Sequence, residues 1–173
     1  MVVTGAEASR KHAAYHVAGH VVADLVYGYR FRFVTIRPLE SGGEDGSLCG
    51  SVRGRARDLA VVQLAGIAAA ARMAGQDPRE ETVWSGDERD DSAAADTFID
   101  NWIAFLTRIY GEAPYRDRIR DEILDRTQKL VDTNWGAIEV IAECLLARET
   151  LSYNDTERIL KERCPEFRHG EKV

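Results

Sequence analysis

A chain of 173 residues, 45% hydrophobic and 30% charged, suits one globular domain over 1–173 with a core of its own. Its formal net charge of −6 argues against nucleic acid or an anionic membrane as the main partner, because both select clustered excess cation. No apolar run approaches the ~20 residues that span a bilayer, and Met1 to Arg10 lacks the basic and apolar regions of a signal peptide, so a soluble, cytoplasmic protein is expected.

In chain order, Ala6 to about Tyr29 reads as a helix, with Ala13, Val17, Val21 and Leu25 on an apolar stripe and Gly28 near its end. From Arg30 to Arg37 the period changes to two, the rhythm of a strand, and Pro38 ends it. Residues 41–46 are turn-forming, and Ser47 to Arg53 reads as the return strand of a short hairpin. Arg53, Arg55 and Arg57, the densest basic cluster, read as a solvated face at the start of the next helix. That helix is alanine-rich, runs from Ala56 to Ala74, and stops at Gly75-Gln76-Asp77-Pro78. A polar loop to about Asp87 precedes a helix through Ala93, Phe98, Trp102 and Phe105, and Gly111 to Pro114 breaks the chain again. Ile119, Ile123, Leu130 and Val131 mark a further helical face. Thr133 or Asn134 is the expected N-cap of another helix, and a short last helix follows Ser152-Tyr153-Asn154-Asp155, with a loose tail after Pro165. The expected fold is mainly α with one short β-hairpin. Cys49, Cys144 and Cys164 are odd in number, have no C-x-x-C spacing, and are expected to be reduced thiols.

Chemistry concentrates in His16-Val17-Ala18-Gly19-His20. Histidines four apart lie one turn apart on one helical face and can offer two imidazoles to one metal. In H-E-x-x-H peptidases the residue after the first histidine is the glutamate that acts as general base, and here it is Val17. His12 lies one turn back on the same face and reads as a solvated or helix-packing residue.

Ala14 to His20 resembles the A-Y-H-E-A-G-H helix of the FtsH-type zinc metallopeptidase domain, the proteolytic half of membrane AAA proteases. Four further segments match that family in order. Val34-Thr35-Ile36-Arg37-Pro38 with Gly42-Gly43 resembles its V-T-I-x-P strand and glycine turn, and Leu64-Ala65-Gly66-Ile67-Ala68-Ala69 its L-A-G-R-A-A helix. Ser85-Gly86 with Asp90-Asp91 is similar to its G-A-S-N-D-L segment, and Leu145 to Leu151 to its L-L-E-x-E-T-L. The resemblance spans about residues 9 to 161. It implies an FtsH-peptidase-like helical domain in which zinc is held by His16, His20 and an aspartate opening a later helix. That aspartate is Asp91 if the adjacent pair aligns on its second member, and Asp90 if the loop after Gly86 is counted strictly; Asp91 is preferred. Taken alone, two acids there also complement a helix N-terminus.

The chain departs from the family at the chemistry. Without a proton acceptor at Val17, hydrolysis should fall by at least the ~10²- to 10⁴-fold typical of general base catalysis. The family's acidic pair that braces the metal-binding histidines is replaced by Ala70 and Ala71, which predicts weak zinc binding. The chain has no phosphate loop and resembles the peptidase module alone, standing by itself. The first functional reading is therefore a proteolytically inactive or impaired member of this family that serves as a binding or regulatory module for a protein or peptide partner, with homo-oligomers allowed by the resemblance. A second is an active metalloendopeptidase with a non-standard base such as Glu88 or Asp87. A third is a metal-free structural protein.

Overall fold

The computed structural model describes residues 5–37, 47–49, 54–79 and 86–170, with backbone alone for 47–49, 86 and 87. Six helices and three short strands occur among them: α1 (Gly5–Tyr27), β1 (Phe33–Thr35), β2 (Ser47–Cys49), α2 (Ala56–Ala74), α3 (Gly86–Tyr110), α4 (Arg116–Thr133), α5 (Trp135–Arg148), β3 (Thr150–Ser152) and α6 (Tyr153–Arg163). The mainly helical fold with a hairpin agrees with the sequence pattern. The expected Pro38, the glycine turn and the end of the return strand lie outside the described residues.

α1 is buried on nearly every side from Ala13 onward, as a helix apolar around its circumference must be. It packs chiefly on α2 and α5, while α2 also meets α3 and α4. Leu25, Leu64, Ile67, Ile99, Ile123, Leu130, Ile138, Ile141 and Leu145 are almost wholly inaccessible, each such side chain contributing about 1.5–3 kcal/mol of transfer free energy. The α1–α2 crossing is close because Gly19 has no Cβ: one there would strike the Ala65 carbonyl and stand 2.7 Å from the Ala69 Cβ. α1 ends at Gly28 with φ 73°, a left-handed C-cap that glycine adopts without strain.

β1 pairs antiparallel with β2, Val34 opposite Leu48, and on its other edge with β3, Val34 opposite Leu151. The sequence pattern did not suggest β3. Three residues between two helices carry too little period-2 signal, and Leu151 earns its strand position by burial against the core. Ser152 then caps α6 through a capping box with Asp155. Three local expectations are refined by the structure. Asn134 is the N-cap residue of α5, as expected, but its side chain makes no capping bond there; its amide donates back to the Leu130 carbonyl at 2.9 Å and closes the end of α4. The segment after Pro165 is held as far as Gly170, whose N–H donates to the Leu25 carbonyl at 3.0 Å, with Phe167 against the core. The basic cluster is not wholly solvated either, since Arg57 lies over the Trp102 ring at 5.6 Å; Arg53 lies outside the described residues. Cys144 and Cys164 are free thiols, and burial, with Glu166 beside it, pushes Cys164 up to about 11. Among the described residues, no helix is long and apolar enough to cross a membrane.

Candidate metal centre

His16 and His20 face α3 from the buried middle of α1, and Asp91 meets them from the second turn of α3. The Asp91 Oδ2 lies 2.9 Å from the Nε2 of each imidazole, and the two Nε2 atoms are 3.1 Å apart. One ligand atom from each of the three residues falls within a 4.8 Å group that can hold a metal ion. Two imidazole nitrogens and one carboxylate are the donor set of a three-ligand zinc site with an open fourth position. Asp91, and not its neighbour Asp90, is the inward member of the pair; Asp90 is exposed.

The two histidines are supported differently. His20 Nδ1–H donates to the Val62 carbonyl at 2.8 Å, which fixes the tautomer and leaves Nε2 toward the site. The expectation that neither imidazole has an outer acceptor therefore fails for His20: a main-chain carbonyl of α2 does the work for which Ala70 and Ala71 have no side-chain group. It holds for His16, whose buried Nδ1 has no hydrogen-bond partner. Gly66 makes room for this arrangement. A Cβ there would run into His20 Nε2 and lie 2.7 Å from its Cδ2, so the ring rests against the bare backbone of α2. The sequence contained that glycine, but its contact with a histidine 46 positions earlier has no local signal.

Burial is the largest influence on all three groups, and partners decide the outcome. Desolvation lowers the His16 pKa, with Asp91 opposing it only in part. For His20 the same desolvation is outweighed by Asp91, the Val62 carbonyl and Asp24, and its pKa is raised. Burial would raise Asp91, yet the two imidazoles hold its carboxyl well below the usual range. Without a metal, then, burial favours the neutral form of His16, while Asp91 favours the charged form of His20. A metal at Nε2 competes with a proton there, so the raised His20 pKa opposes metal binding as pH falls.

Val17 is 2% exposed and belongs to the apolar core, so residue 17 presents packed hydrocarbon and no proton acceptor. Glu88, one turn before Asp91, is buried and pairs with His12 at 3.2 Å; the side chain of Asp87 lies outside the described residues. His12, expected to be solvated or helix-packing, is 34% exposed and meets Glu88 across the α1–α3 seam. Asp24, one turn beyond His20, escaped the sequence reading. It is 2% exposed, its Oδ1 has no partner, and burial raises it to about 7. Its signal was available: it is the only acid in the apolar run from Val21 to Tyr27, on the same face as His16 and His20. No family model matches the chain, and no curated protein matches it.

Proposed function

We propose that this protein is a zinc-holding domain of the FtsH peptidase type that has lost the family's general base and works by binding a protein or peptide. The observation that carries the reading is the convergence of His16, His20 and Asp91 beside a base position occupied by buried Val17. Zinc, when bound, supplies Lewis-acid polarisation of a carbonyl. The chain's own groups hold and orient: the Val62 carbonyl aims His20, Asp91 brings Oδ2 to 2.9 Å from both Nε2 atoms, and the hydrocarbon of Val17 neither takes nor returns a proton. A bound peptide carbonyl is accordingly retained rather than rapidly cleaved. Turnover of casein and of mixed peptides, measured on zinc-loaded protein with and without chelator, tests the reading. Activity at the level of ordinary zinc endopeptidases would refute it, and turnover at least ~10²-fold lower agrees with loss of the base.

One observation favours a metal-free alternative. His20 Nε2 and Asp91 Oδ2 already pair at 2.9 Å, so the triad also serves as a clasp between α1 and α3. Zinc titration separates the two, because a clasp alone gives no saturable binding.

A further inference from the structure

The last turns of α3 leave the body of the molecule. Arg116, the first residue of α4, pairs with Asp96 and Asp100 of α3, and Arg120 with Asp96 and Ser92. α4 therefore starts beside Asp100 and runs back along α3. Asn101 to Tyr110 continue past that point for about 15 Å at ~1.5 Å per residue, and residues 111–115 make the return. No residue from 101 to 118 is buried, whereas Glu88, Ser92, Ala95 and Ile99 give the earlier turns a buried face. The finger is nevertheless apolar. Among the described residues, the exposed large hydrophobics are Phe105, Ile109, Tyr110 and Tyr115, at 43%, 55%, 76% and 87%, and all four lie on it. Phe105 stacks on Trp102 with centroids 5.3 Å apart, joining the exposed surface to residues that pack on the core at its root. Trp102, Phe105, Leu106 and Ile109 are spaced i, i+3, i+4, i+7, the stripe by which one helix packs on another.

Area and charge fit a second copy of the chain. The four exposed side chains offer about 500 Å² per copy, taking ~200 Å² for a whole side chain of this size, more than half of the ~800 Å² that each partner gives to a stable pair. The chain carries −6 overall, yet residues 101–118 hold Arg108, Arg116 and Arg118 against Glu112 and Asp117, so two fingers meet without like-charge repulsion. The reach of each finger also keeps the acidic bodies apart by more than the ~8 Å over which exposed charges act in physiological salt. The same −6 disfavours an anionic bilayer as the cover of this aromatic tip. We propose that the protein is a twofold dimer in which the α3 finger of one copy packs antiparallel on that of another, burying Phe105, Ile109, Tyr110 and Tyr115. Such a contact is self-complementary and closes at two copies. Phe105 lies about 20 Å along α3 from Asp91 at ~1.5 Å per residue, and the pairing is independent of the metal.

Sedimentation equilibrium of the full chain across the micromolar range tests this on wild type, Ile109→Asp, Tyr110→Asp and Tyr115→Ser, with circular dichroism as the check on folding. The wild type should rise with concentration to twice 19.3 kDa and stay there in high salt. Each aspartate variant should keep its helix signal and raise the Kd about 30-fold or more, the cost of losing a central interface residue. Tyr115→Ser, outside the helices, should act in the same direction, and with the wild-type dilution series it decides the matter if an aspartate variant misfolds. A wild type that remains at 19.3 kDa, a dimer that all three variants retain, or one that high salt dissolves would overturn the proposal. So would an assembly of more than two copies, or a monomer whose finger binds phosphatidylcholine vesicles.

Discussion

Asp24 and Asp91 flank the same imidazole and carry opposite protonation preferences. Burial works on both in the same direction, raising the carboxyl's affinity for a proton. Asp91 meets the Nε2 atoms of His16 and His20 at 2.9 Å and stays ionised. Asp24 lies one turn past His20, with an unpartnered Oδ1 and a single weak helper in the His20 charge, and is raised to about 7. Partners, and not depth, decide which buried acid remains a metal-ready carboxylate. The polar seam of α1 therefore has a working end, where α3 supplies acids, and a blind end, where the chain tolerates a desolvated one.

The strongest way to break this contrast is at Asp91. Asp91→Ala removes a ligand and the counter-charge of His20 together, so zinc affinity should fall by more than the ~10- to 100-fold typical of losing an outer-shell partner, and the His20 pKa should drop; competition titration and histidine NMR measure the two effects. Next comes Gly66→Ala. The added methyl meets His20 Nε2 and Cδ2 and should displace the ring from the Val62 carbonyl, weakening zinc binding by about 10- to 100-fold and costing about 1–3 kcal/mol in urea unfolding from the overpacked crossing.

At the blind end the expected effect is smaller and has a definite sign. Asp24 has a folded pKa of about 7 against an unfolded 3.8, so the folded state binds its proton more tightly. That contribution to stability is fully present below the unfolded value and is lost as pH rises through about 7. Asp24→Asn should match the wild type near pH 4 and exceed it above pH 8, by an amount on the order of a few kcal/mol at ~1.4 kcal/mol per pKa unit. Urea unfolding across that range would show parallel curves if Asp24 were an ordinary carboxylate. The smallest change in activity is expected at residue 17. Val17→Glu buries a charge among apolar side chains, so it should lower the melting temperature and return little peptide turnover; strong chelator-sensitive cleavage by this variant would show that the base alone was missing.

Much of this was legible in the chain because the relevant spacings are local. His16 and His20 announce their shared face by being four apart, and the bounds Ala56–Ala74 of α2 follow from an alanine-rich, largely apolar run and the Gly75 stop. The choice of Asp91 over Asp90 was open in sequence and closed only by which carboxyl the first turns of α3 direct inward. What stayed illegible is contact between distant segments through groups that every residue carries. The Val62 carbonyl that aims His20 has no side-chain signature, so its support could not be read from Ala70 and Ala71. The pairing of β3 with β1 and the docking of Gly170 on Leu25 are main-chain events of the same kind.

The central claim is that His16, His20 and Asp91 form one metal site supported by the Val62 carbonyl. Equilibrium zinc titration of the wild type and of His20→Ala, at a pH above the raised His20 pKa, tests it most directly. The account predicts one saturable equivalent in the wild type, weakening as pH falls and His20 takes up its proton, and loss of that equivalent in His20→Ala. Indistinguishable binding by the two proteins would contradict it.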